Sequence, residues 1–204
     1  MTNNTSGIDT EIKVNGQKLE TVTSFKYLGA VITDERSKPE ILSGIAQTTA
    51  ALTRLKPVWI DKRISLSSKI RLMRSRVTSK FLYACESWTL TVELQRITRT
   101  MEVRCYRKTL HIFYTDLFTN EEVYAKIQQA IGEHEDLLTI VKRRKLKWYS
   151  HVSRSSGLAK TISQDAVKVR RREGKQKKRW EDNISCWTGP RGQRLIEENG
   201  ENWL

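Results

Sequence analysis

Fifteen Lys and Arg crowd between Ile140 and Trp180 against two acids, Asp165 and Glu173, so this stretch alone holds +13 of the chain's formal +14. It reads V-K-R-R-K-L-K-W-Y-S-H-V-S-R from Val141 and V-R-R-R-E-G-K-Q-K-K-R-W-E-D-N from Val169. Cations at this density attract a polyanion, because each phosphate they neutralise releases condensed counterions. Trp148, Tyr149 and Trp180 add flat surfaces on which bases or riboses can rest. The chemistry open to these residues is phosphate binding, with nucleic acid as the expected partner and an anionic membrane surface as the lesser alternative. The candidate ligands are Arg143, Arg144, Lys145 and Lys147, then Arg170, Arg171, Arg172, Lys177, Lys178 and Arg179. A second set lies upstream at Lys69, Arg71, Arg74 and Arg76, where no acid interrupts the chain between Lys62 and Lys80.

Other chemistries lack their spacing. Cys85, Cys105 and Cys186 with His111, His134 and His151 are ligand types, yet no C-x-x-C or H-x-x-x-H pair puts two on one turn, so no metal is expected. No Gly-rich elbow exposes a nucleophile and no G-x-x-x-x-G-K-[ST] loop cradles a nucleotide, so no catalytic residues and no cofactor are assigned. Three widely spaced cysteines with no signal peptide ahead of them point to a reducing compartment and against secretion. No apolar run approaches the roughly 18 residues that span a bilayer, so no membrane-embedded segment is expected.

The elements that must position these cations change in kind along the chain. E-I-K-V-N-G-Q-K-L-E from Glu11 alternates about Asn15-Gly16, a pair suited to a hairpin turn. S-F-K-Y-L-G-A-V-I-T from Ser24 reads as a third strand with a bulge at Gly29. A small antiparallel sheet is expected there. Helical spacing then takes over. Ile41, Ile45, Thr48, Leu52 and Leu55 predict a helix over about 39 to 56, stopped by Pro57. Leu66, Ile70, Met73, Val77 and Phe81 predict a second from about Ser65, with Lys69, Arg71, Arg74, Arg76 and Lys80 on its outer face. Thr91 caps a third, whose inner row is Leu94, Ile97, Met101, Cys105 and Leu110. Thr119 and Glu122 form a capping box ahead of Val123, Ile127 and Ile131. Leu137, Leu138, Val141, Trp148 and Val152 form the inner row of a fifth helix that carries into the basic stretch. Residues from Lys168 to Arg179 hold too little apolar material to fix a conformation without a partner. Around Trp180 to Trp187 one amphipathic turn is expected, followed by a loose end.

Several runs, in order, resemble the end of a non-LTR, LINE-type retrotransposon reverse transcriptase. They are F-K-Y-L-G at 25–29, I-S-L-S-S-K-I-R-L-M-R-S at 64–75, F-L-Y-A-C-E-S-W-T-L at 81–90, R-R-K-L-K-W-Y-S-H-V-S-R at 143–154 and R-W-E-D-N-I at 179–184. The resemblance implies a palm-edge sheet over 1–36, a helical thumb-like domain over 37–115, C-terminal helices over 116–167 and a basic tail over 168–204. The expected fold class is thus mainly α: a thumb-like bundle with a small N-terminal β-sheet and a basic, partly disordered C-terminal region.

The sequence departs from that family in ways that bear on function. Its polymerases carry Tyr-x-Asp-Asp ahead of the F-K-Y-L-G strand, because paired carboxylates hold two divalent metals there. No two aspartates are adjacent here, and the resemblance places Met1 after that motif, so no polymerase activity is expected. Ser150 stands where the family has Gly, Gly44 where an Arg is common, and the residues from Pro190 do not follow the pattern. The expectation is a non-catalytic fragment that binds RNA or an RNA·DNA hybrid by its phosphates, in a nuclear or cytoplasmic ribonucleoprotein. The alternatives are a protein-interaction module whose R-R-R and K-K-R clusters are a nuclear address, and a decayed fragment without selected function.

Overall fold

The computed structural model describes residues 13–14, 17–18, 22, 24–27, 30–33, 37–155 and 178–199, with side chains of the last segment described to 189. The chain is mainly helical. Between residues 13 and 33, β1 (Lys13–Val14) pairs antiparallel with β2 (Gln17–Lys18), and β3 (Ser24–Tyr27) with β4 (Ala30–Thr33). The run from Ser24 is therefore two strands folded on each other rather than one bulged strand. These short pairs do not join into one sheet among the described residues.

Helix α1 (Ser37–Arg54) places Pro39 in its first turn, where a missing N–H costs nothing, and buries Ile41, Thr48 and Leu52. Pro57 does not stop this helix. It lies in the first turn of a short α2 (Lys56–Ile60), again because proline is tolerated where amides have no helical acceptor. Ser65 then caps α3 (Leu66–Leu72), which runs through a π-helical turn over Met73–Thr78 into α4 (Ser79–Phe81). Ile70, Met73, Val77 and Phe81 are buried as their spacing predicts. The wider π turn adds a residue to the repeat, so Val77 and Thr78 are both buried.

A 3-10 turn at Cys85–Ser87 leads to α5 (Val92–Thr109), whose Thr91 side chain accepts from the Leu94 N–H. Thr119 and Glu122 make the reciprocal box that starts α6 (Asn120–Ile131), and Asp136 caps α7 (Leu137–Arg154). One apolar cluster runs from Ile41 of α1 through α3, α5 and α6 to Val141 of α7. Cys105 belongs to it, and burial pushes its thiol up to about 12, which makes it an inert core group.

The expected amphipathic turn near Trp180 is instead a helix, α8 (Trp180–Asn199), broken at Gly189 where φ is 65°. Its first turns pack on α7, joining Leu146, Tyr149 and Ile184 with Trp180 and Trp187 in a second apolar cluster. That contact turns the buried face of α7 along its length. Leu137, Leu138 and Val141 are buried near its start, whereas Leu146, Tyr149 and Ser150 are buried near its end. Trp148 is left 41% exposed, which corrects its place in the inner row. Ser150 is buried, and its hydroxyl accepts from Nη2 of Arg154 at 3.2 Å.

Gly44 also has a physical reason. A Cβ added to it would sit 3.6 Å from Cδ2 of Phe81, an ordinary contact that leaves no room for a long side chain. Gly44→Ala is expected to stabilise the fold by up to about 1 kcal/mol through helix propensity. Gly44→Arg should destabilise it by forcing α1 away from Phe81, and thermal melts of the two variants check the opposite signs.

Candidate nucleic-acid interface

Two basic helices meet at one acid. Glu135, just before α7, accepts from Nη2 of Arg74 through its backbone carbonyl at 2.8 Å and from Nη2 of Arg143 through its carboxylate at 2.6 Å. One turn beyond the π segment, Nη1 of Arg144 donates to the Leu82 carbonyl at 3.2 Å. These contacts tie the start of α7 to the π turn and its middle to the residue that follows α4, and Arg76 lies between Arg74 and Leu82 in sequence. The side chains of Arg71, Arg76 and Lys147 are exposed and form no hydrogen bond or ion pair among the described residues. Counting acids along the run from Lys62 to Lys80 could not have found Glu135, which arrives from a different element.

Two of the expected phosphate ligands point inward. Lys69 is 9% exposed, and its Nζ donates to the Trp59 carbonyl at 2.8 Å, tying α3 to α2. Lys145 is fully buried. Its Nζ donates to the Trp88 carbonyl at 2.6 Å and to Oδ1 of Asn183 at 2.9 Å, and it stands 4.4 Å from the Trp180 ring centroid. Carbonyl lone pairs and the electron-rich ring face both favour an ammonium. Burial, with the Lys178 charge alongside, opposes them and pulls the group down to about 7. Neither lysine can reach a phosphate without leaving the core, so both are removed from the interface.

Asn183 is the polar centre of this second cluster, and its role was not legible in the sequence. Its Oδ1 accepts the Leu90 N–H at 2.7 Å and its Nδ2 donates to the Leu90 carbonyl at 2.8 Å, so the side chain pairs with a backbone unit as a neighbouring strand would. Trp180 Nε1 donates to the Glu86 carbonyl at 2.7 Å. The R-W-E-D-N-I run thus clamps α8 onto the segment between α4 and α5. The only signal available beforehand was a pair of tryptophans flanking an Asn in a strongly basic setting.

The remaining sites divide simply. Arg170, Arg171, Arg172 and Lys177 lie outside the described residues, Lys178 is half-buried, and Arg179 is exposed. Tyr149 is buried and offers no stacking face, while Trp148 packs edge-on to Trp180 with ring centroids 5.2 Å apart. Among the described residues no group of three His, Cys, Asp or Glu could hold a metal ion, and no helix is long and apolar enough to cross a membrane. Comparison of the chain with protein-family models, curated proteins and solved structures finds no match.

Proposed function

We propose that the chain is a non-catalytic part of a non-LTR retrotransposon reverse transcriptase that holds RNA, or an RNA·DNA hybrid, by its phosphates. The observation that carries the reading is that Glu135 links Arg74 of the π turn to Arg143 of α7 and Leu82 holds Arg144, while Arg71, Arg76 and Lys147 on the same two elements are exposed. Helices fix the guanidinium groups in place, which lowers the ordering cost of each contact. In this reading the N-terminal strands are the edge of a palm, the helices through α5 are its thumb, and the cations of residues 170–179 add phosphate contacts. The setting is a nuclear or cytoplasmic ribonucleoprotein.

Salt dependence tests the reading directly. For a single strand the slope of log K against log salt is about −0.7 per phosphate neutralised. Replacing Arg71, Arg76 and Lys147 together by Gln is expected to flatten the slope by about 2 without loss of fold, since all three are exposed and their side chains are unbonded among the described residues. Filter binding of a single-stranded RNA over a range of salt measures it. An unchanged slope would move the function to the protein-docking alternative, with the basic run as a nuclear address.

A further inference from the structure

A cavity of about 770 Å³ opens between the end of α1, α2 and the last turns of α5, away from the Glu135 contact. Its volume lies within the range of small-molecule pockets. Lys56, Arg104, Arg107, Lys108 and His111 line it, and no acid does among the described residues. Arg107 is already held, donating to the Phe118 carbonyl at 2.6 Å and to Oδ1 of Asn120 at 3.2 Å. The side chains of Lys56, Arg104 and Lys108 are exposed and make no hydrogen bond or ion pair among the described residues. Most of the remaining wall is apolar, with Leu52, Trp59, Val103 and Ile112, and Thr53, Thr100 and Asn120 add polar edges.

The mouth carries aromatic edges. Leu110 ends α5 and His111 takes a left-handed φ of 58°, with the Ile112 N–H returning to the Arg107 carbonyl. This is the reversal that usually falls to glycine after a helix. It turns the chain back so that His111 and Phe113 meet edge to face at 4.8 Å, with Phe113 more than half exposed. Apolar walls, an exposed ring and unpaired cations together select an anion with a flat, weakly polar body. A fatty carboxylate suits the walls, but its single charge leaves most of the cations unmatched. A nucleotide within a strand brings a base for the walls and a phosphate on either side of it.

We propose that this cavity receives one unstacked nucleotide of a single strand, its base against the exposed Ile60 and Phe113 and its flanking phosphates on Lys56, Arg104 and Lys108. The inference rests on the nucleic-acid reading above but concerns a separate part of the surface. The test uses the full chain and two probes, a single-stranded RNA 12-mer with one central 2-aminopurine and free 2-aminopurine riboside 5′-monophosphate. Binding of the 12-mer is expected to change the 2-aminopurine fluorescence as the base leaves its stack. Thr53→Trp fills the cavity from an exposed position of α1; it should abolish that change and weaken 12-mer binding about tenfold. Arg104→Gln with Lys108→Gln should flatten the salt slope by about 1.4. If the 12-mer binds with no fluorescence change, or Thr53→Trp alters neither signal nor affinity, the cavity proposal falls while the strand-binding reading stands. If the free monophosphate binds in a Thr53-sensitive way and the 12-mer does not bind, the strand-binding reading falls and the cavity is a site for free nucleotide. If neither probe binds, both fall.

Discussion

Asn183→Ala is expected to cost the fold about 3 to 5 kcal/mol, the sum for three buried polar groups that each lose a partner. The variant would strip a partner from the Leu90 N–H, the Leu90 carbonyl and the Lys145 ammonium at once, and all three lie in a region closed to solvent. Each buried polar group left without a partner costs about 1 to 3 kcal/mol. Lys145→Met should cost less, because it removes the charge together with its need for acceptors and leaves Asn183 bonded to Leu90. Urea unfolding of the full chain, followed by tryptophan fluorescence, ranks the two. If Lys145→Met proves the more damaging, the cluster is held by its cation and Asn183 is secondary.

The same pair gives a pH signature. An unfolded lysine titrates near 10.4, on the order of the model-peptide value, whereas Lys145 in the fold is pulled down to about 7. Below that value both states carry the proton, and the full cost of burying the ammonium is present. Between about 7 and 10.4 the unfolded state binds more protons, so this group's contribution to stability rises with pH. The unfolding free energy of the native chain should therefore gain on that of Lys145→Met across this window. Parallel curves would mean that Lys145 keeps its proton throughout.

Glu102→Ala should be comparably damaging, at about 3 to 5 kcal/mol. This buried carboxylate on α5 accepts from the Leu137 N–H at 2.9 Å, the Tyr106 hydroxyl at 3.1 Å and the Tyr124 hydroxyl at 3.2 Å, so one side chain joins α5, α6 and the start of α7. Burial raises its carboxyl above the ordinary range, against the opposing pull of the Leu137 N–H and the Tyr106 hydroxyl. A raised value means that the group's contribution is complete below the unfolded Glu value and is lost as pH rises through the folded one. Glu102→Gln keeps an acceptor for Leu137 and carries no charge. It should stay within about 1.5 kcal/mol of the native chain at neutral pH, the scale of one ordinary hydrogen bond, and lose that acid-side dependence. A Glu102→Ala variant as stable as the native chain would show that α7 needs no such anchor.

The local half of this protein was legible in its residues. Ile70, Met73, Val77 and Phe81 recur at helical spacing and all face the core, and Thr91 and Thr119 cap the helices that follow them. Those outcomes depend on neighbours within one turn, so order along the chain is enough to read them. The basic helices were legible as basic and no further. Helical spacing puts Lys145 four residues after Val141 on the same face, but charge alone marks it for solvent. What buries it is the Trp88 carbonyl 57 residues earlier and Asn183 38 residues later, brought together only when α8 docks. Glu135 likewise reaches Arg74 across 61 residues, in a run that carries no acid of its own. Trp148 reads as core until α8 claims the adjoining side of α7. A lysine is a phosphate ligand or an internal strut according to whether acceptors surround it, and tertiary packing supplies those acceptors because desolvating an unpartnered charge costs more than the chain can recover.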